Sequence, residues 1–151
     1  VRVDGACPFD TIQATWNVLE PSAGPALREA HDAGLGVLVK EAVANGRLIL
    51  GAGDDGDDRA AALALLDRIA GRHEREYGST TTPGRDAIAL AAVLAQPWAD
   101  IVLSGAVTPD QVRSNAAALD VDLDADEREA LASLAVPPVA YWQERSELAW
   151  S

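Results

Sequence analysis

Apolar positions in this chain follow two spacings, and the spacings alternate along it. Residues 12–15 (Ile-Gln-Ala-Thr) alternate apolar and polar after a Pro8/Asp10 entry, which predicts a short strand. The next stretch, PSAGPALREAHDAGLG, predicts turn, helix and stop. Pro25 suits a first helical turn, Leu27 and Ala30 share a face, and Gly34 and Gly36 end it. Residues 36–39 (Gly-Val-Leu-Val) are apolar on both parities, which predicts a strand buried on both faces, as in a parallel sheet.

The stretch KEAVANGRLILGAGDDGDDRA then breaks the pattern for longer than a minimal connection needs, and long ordered loops are usually functional. Asp57 or Asp58 can cap the helix that follows, with Leu63, Leu66, Ile69 and His73 at helical spacing and a stop at Gly78. A further helix is expected from Thr82-Pro83, with Ala87, Leu90, Ala91 and Leu94 facing inward. Residues 101–103 form the third strand and residues 108–119 the helix it feeds. Asp124 and Glu127 make a capping box for a last short helix. The end, PPVAYWQERSELAWS, is Pro-rich and aromatic and reads as an ordered tail. The order β-α-β-α-α-β-α-α implies right-handed crossovers and a parallel sheet. Three such strands leave two bare edges, so the chain reads like part of something larger.

Composition narrows the partners. The 151 residues suit one domain, and 24 acidic against 12 basic residues give a net charge of −12. That argues against nucleic acid and against anionic membrane surfaces, both of which need a basic footprint. No apolar run is long enough to span a bilayer, and the first residues lack the order of a signal peptide. A single cysteine, Cys7, excludes an internal disulfide and fits a cytoplasmic setting. It has no sequence neighbour that would activate it.

The stretch IVLSGAVTPDQVRSN carries the first chemical signal. Thr108 at the N-cap, Pro109 at the first helical position and Gln111 three residues after the cap form a T-x-x-Q capping box. A helix N-terminus after a parallel strand favours an anion, and Gly105 and Ala106 let backbone approach it closely.

Four pieces of the chain, in order, resemble the C-terminal half of an aldo-keto reductase, whose fold is a TIM (β/α)8 barrel. FDTIQATWNVLEP resembles the sixth barrel strand and its polar turn, and GLGVLVKEAVANGRL the seventh strand with its cofactor loop. RDAIALAAVLAQP resembles the helix before the last strand, and IVLSGAVTPDQVRSN the eighth strand and the helix after it. Together they cover nearly all of residues 8–135. The resemblance implies an α/β fold of three parallel strands with flanking helices, the C-terminal part of a (β/α)8 barrel running from the sixth strand to the tail. It also implies an NAD(P)-dependent oxidoreductase acting on a small carbonyl substrate. The cofactor would be NADP, with NAD possible.

Carried over by position, Gln13 matches the glutamine that hydrogen-bonds the nicotinamide carboxamide. Glu41 stands where an aromatic ring often stacks on the nicotinamide. Ala42, Ala44 and Gly46 match loop residues whose backbone meets the pyrophosphate. Ser104, Gly105 and Ala106 match the segment that grips the adenosine phosphate, and Gln111 and Asn115 match contacts to that phosphate and the adenine. Phosphate sites in such barrels lie after strands seven and eight. The lysine and arginine that select NADP in the family are replaced by Gly105 and Gln111, so both charges that would pair with a 2′-phosphate are missing from those positions. The catalytic tyrosine, lysine, aspartate and histidine belong to the first half of the barrel, so no catalytic residue is assigned here. Tyr77 and Tyr141 fall at a helix end and in the tail, and Lys40 takes the place of a loop arginine.

Other constellations have plainer readings. Asp54-Asp55-Gly56-Asp57-Asp58 lacks the ligand spacing of an EF-hand and reads as a solvated loop tip. His31 and His73 are too isolated for a metal site and are expected on helix surfaces. HEREY at 73–77 is no zincin helix, and Ser104 lacks the frame of a nucleophile elbow, so it reads as a turn residue. Trp142 and Trp150 are expected as packing anchors or walls of a substrate pocket. Two function classes remain: the cofactor-binding half of an aldo-keto reductase, inactive alone, and a non-enzymatic half-barrel that self-associates. The start VRVDGACPFD, without an initiator methionine, favours a piece of a longer barrel pairing with its other half. Bare sheet edges are expected to seek a partner and to bury inner-barrel side chains such as Val37 and Val39.

Overall fold

A computed structural model describes residues 7–49, 56–77 and 83–148. Three strands form one parallel sheet in the order β1 (Thr11–Thr15), β2 (Gly36–Lys40), β3 (Ile101–Val102). The connections carry α1 (Gly24–Asp32), then α2 (Gly56–Tyr77) and α3 (Arg85–Leu94). After β3 come α4 (Pro109–Ala116), a 3-10 turn (Ala117–Asp120), α5 (Ala125–Ala132) and α6 (Pro138–Glu147).

Local chemistry sets these boundaries. Pro25 lies in the first turn of α1, and Gly34 follows its end at φ +87°, a left-handed position that costs glycine nothing. Thr108 and Asp124 each complete a capping box, with Gln111 and Glu127, as the sequence predicts. α3 begins at Arg85 after Gly84, later than the expected Thr82-Pro83, of which Thr82 lies outside the described residues. α2 already includes Gly56, so Asp57 and Asp58 fall inside the helix rather than at its cap. The predicted tail contains a full helix, α6, opened by Pro138. Asp54, Asp55, Gly78 and Trp150 lie outside the described residues.

The sheet has two unlike faces. Register places Ile12 beside Val37 and Ala14 beside Val39, with Val102 beyond Val39. This row packs under the helices: Val37 and Val39 are fully buried, in one cluster with Leu27, Leu66, Ile88, Val93 and Trp98. Trp16 and Trp98 meet edge to face at 5.6 Å in that core. The alternate row, Gln13–Leu38–Ile101, faces the other way, with Gln13 exposed, Leu38 half-buried and Ile101 52% exposed.

The expectation for Val37 and Val39 is therefore corrected. They belong to the helix-covered side, and Leu38 takes the open parity, because successive side chains alternate across a strand. Two helical expectations change as well. His73 is buried, not on a surface, following Leu66 and Ile69 around the same face of α2. Its Nε2 lies 3.1 Å from Glu127 Oε2 on α5, a buried contact that ties the two helices. Leu94 is 41% exposed, whereas Ala87, Leu90 and Ala91 are buried as expected.

Candidate functional site

Because the three strands run parallel, the segments after Thr15, Lys40 and Val102 all emerge at one end of the sheet. That rim collects most of the polar residues singled out in the sequence. Gln13 stands one step below it on the open face, exposed, directly beside Leu38.

The loop after β2 is sharply folded. Glu41, Ala44 and Asn45 have φ of 57°, 51° and 55°, and Gly46 has 83°. Left-handed backbone at three non-glycine residues costs about 1–2 kcal/mol each, so the surroundings must impose it. Ala42 and Ala44 are buried. The amide of Ala44 donates to the Glu41 carbonyl at 2.8 Å and that of Gly46 to the Val43 carbonyl at 3.0 Å. Glu41 itself accepts from Asn45 Nδ2 at 2.8 Å and pairs with Arg145 of α6 at 3.3 Å.

The second loop follows β3. Ser104 Oγ accepts from the Ala106 amide at 3.4 Å, as a turn residue does. Gly105 has φ +68° and nothing within 4 Å of where a Cβ would lie, so its surface is open backbone. Gln111 Oε1 accepts from the amides of Val107 (2.8 Å) and Thr108 (3.2 Å), and Thr108 Oγ1 accepts from the Gln111 amide. The capping box thus satisfies donors that a bare helix end would offer to an anion. Asn115, oriented by its partners, donates to Asp86 Oδ2 at 2.9 Å. Arg113 pairs with Asp110 at 2.6 Å. Gln111 and Asn115 lie one turn apart on α4, as expected, with their side-chain amides turned to neighbours within the chain.

A cluster that the sequence did not reveal joins the rim to α6. Asn17, fully buried after β1, donates from Nδ2 to the Glu41 carbonyl (3.0 Å) and to Tyr141 Oη (2.9 Å). Its Oδ1 accepts from the Leu19 and Glu20 amides. The Arg47 guanidinium lies 4.1 Å over the Tyr141 ring and pairs with Glu144 at 2.9 Å. Tyr141 is fully buried, while Trp142 is 46% exposed and packs edge to face on it at 5.3 Å. The available signal was the aromatic and charged composition of YWQER, which marks contact but not its target.

No family model and no curated protein matches the sequence. Solved structures do. The glycerol dehydrogenase AKR11B4 from Gluconobacter oxydans matches with a TM-score of 0.62 at 23% identity, over 85% of this chain and 42% of that one. The aldo-keto reductase AKR11C1 from Bacillus halodurans matches in its holo form with a TM-score of 0.61 at 23% identity, over 83% and 42%. Its apo form gives 0.59 at 25% identity, over 84% and 44%. The fold is that of part of an aldo-keto reductase barrel. The chain spans less than half the length of the aldo-keto reductases it matches.

The rim can be tested against the dinucleotide expected of an aldo-keto reductase-like barrel. Open Gly105 backbone and an exposed Gln13 on the uncovered sheet face fit such a group. The amides of Ala44 and Gly46 are already bonded within their loop, so those two backbone donors do not fit that role. Among the described residues no cluster of His, Cys, Asp and Glu could hold a metal ion, and no helix is long and apolar enough to cross a membrane.

Proposed function

We propose that this chain is the cofactor-binding, C-terminal part of an NAD(P)-dependent aldo-keto reductase. The observation that carries the reading is the placement of Gln13. It is an exposed amide on the sheet face that the helices leave open, beneath a rim formed by the loops after all three strands. An amide there can donate to and accept from a nicotinamide carboxamide, while Ser104, Gly105 and Ala106 offer close backbone approach to the adenosine phosphate. NADP is the expected cofactor, with NAD an alternative because neither Gly105 nor Gln111 supplies a charge for a 2′-phosphate. The bound dinucleotide would supply hydride. The chain's own residues bind and orient it, and the acid that protonates the carbonyl comes from outside residues 1–151.

The test is a fluorescence titration of NADPH and NADH into the closed barrel, assembled from this chain and the remaining strands. Gln13→Ala removes a hydrogen bond worth about 1 kcal/mol, so affinity falls about fivefold. Equal affinity for the variant and the parent refutes the placement. The 151-residue chain alone is expected to oxidise no NADPH with a panel of aldehydes, and turnover above a heat-killed control contradicts that.

Exposed Ile101 (52%) and Leu103 (41%) favour a second reading, in which two copies cover each other's open sheet faces without catalysis.

A further inference from the structure

Helix α6 takes no part in the sheet, yet its polar side chains converge on one loop. Tyr141 is its one buried residue, and Val139 is 81% exposed, so little apolar surface holds the helix in place. What holds it is a set of polar contacts to residues 41–48 and to Asn17. We propose that Tyr141 and Arg145 are positioning residues, which keep the loop 41–48 in its left-handed conformation and so preform the rim. This rests on the reading of that rim as a dinucleotide site.

Backbone in the left-handed region persists at non-glycine residues only where its surroundings over-determine it. Here Ala42, Ala44 and Leu48 are buried in the core, and α6 supplies the polar contacts to the strained backbone. At Glu41 (φ 57°), Arg145 donates to both carboxylate oxygens, at 3.3 and 3.4 Å, and the two side chains are only 17% and 13% exposed. The Glu41 carbonyl accepts from Asn17 Nδ2, and the same amide nitrogen donates to Tyr141 Oη. At Ala44 (φ 51°), the carbonyl accepts from Arg47 Nε at 3.2 Å. That guanidinium is in turn fixed by the Tyr141 ring beneath it and by Glu144. Each strained stretch of the loop therefore has a direct or one-step partner on α6. A contact set of this kind, partly shielded from water, is stronger than the same ion pairs on an open surface.

The test uses hydrogen–deuterium exchange of the 151-residue chain. Tyr141→Phe removes only the hydroxyl, Arg145→Ala removes the ion pair, and Glu41→Arg with Arg145→Glu restores it with the charges exchanged. In both single variants, amides of residues 41–48 are expected to exchange about five times faster, with residues 36–40 unchanged. The exchanged pair is expected to return most of that protection relative to Arg145→Ala. Unchanged loop exchange in both single variants overturns the proposal. So does equal acceleration of loop and strand, which marks residues that merely hold the fold. In the closed barrel the single variants are expected to lose affinity for NADPH and NADH by the same factor. If the parent barrel binds neither dinucleotide while the exchange results hold, the reading of the rim fails and α6 remains the latch of the loop.

Discussion

Replacing Gly105 by lysine and Gln111 by arginine should convert an indifferent rim into an NADP-selective one, at a cost to stability. Gly105 has φ +68°, so a lysine there is held in the left-handed region at about 1–2 kcal/mol. No atom lies within 4 Å of the new Cβ, so no steric cost is added. Gln111 carries the reciprocal half of the α4 capping box, accepting from the Val107 and Thr108 amides. Arginine cannot accept those bonds, which costs about 0.5–1.5 kcal/mol. A chain of this size loses about 2–4 °C in Tm per kcal/mol, so the double variant should melt about 3–14 °C lower. Against that, each charge-assisted contact to a 2′-phosphate contributes about 1.5–3 kcal/mol when formed. Both positions are exposed and screened, so one contact's worth is the safer expectation, at least about a tenfold gain in the NADP to NAD affinity ratio. The assay is a paired fluorescence titration of both cofactors against the closed barrel, parent and variant. A lowered Tm with an unchanged ratio means that the loop does not face the 2′-phosphate, and the residue transfer is then wrong.

Other outcomes follow from the fold. The chain alone should sediment as a dimer or larger species at micromolar concentration, and Ile101→Lys with Leu103→Lys should return it to monomer. A monomeric parent contradicts this. His73→Ala leaves buried Glu127 with only its weaker 3.4 Å contact to Arg72 and its capping bond, and should cost about 1–3 kcal/mol in urea denaturation. A cost near zero places the α2–α5 tie elsewhere. Asp67 is held below its ordinary pKa by hydrogen bonds from Arg85, at 2.6 Å, with the charge attraction of that group adding to them. A depressed carboxylate stabilises the fold above its unfolded pKa, and that contribution disappears as pH falls through the folded value. Asp67→Asn should therefore cost about 0.5 kcal/mol at neutral pH, Asp67 being half exposed, and nothing once the pH is well below 4. A pH-independent difference refutes the assignment.

Elements announced by local chemistry were legible in the sequence. Capping boxes at Thr108 and Asp124, the Pro25 start and the Gly34 stop depend on neighbours within four residues, and each stands where the pattern put it. The parallel sheet was legible from three short apolar runs, since few topologies join such strands through helices. Sidedness was not. Val37, Leu38 and Val39 are equally apolar, so only the packed helices decide which parity is covered. The burial of His73 is not legible locally because its partner, Glu127, lies 54 residues away, although its spacing from Leu66 and Ile69 marks a buried face. The rim cluster was hidden for the same reason. Asn17 and Tyr141 meet across 124 residues, and nothing local to either signals the other. The left-handed turn at Glu41, Ala44 and Asn45 was equally silent, because none of these is the glycine that usually marks such backbone.

The most direct test of the central claim is where a dinucleotide touches this chain. Amide resonances of the labelled chain, in the closed barrel, can be followed while NADPH is added. The expected shifts fall at Gln13, at Glu41 and Ala42, at residues 104–106, and at Gln111 and Asn115, all at the end of the sheet where the strands finish. Shifts confined to the opposite end, around Gly36 and Asp100, or no shifts at saturating NADPH, contradict a cofactor-binding rim.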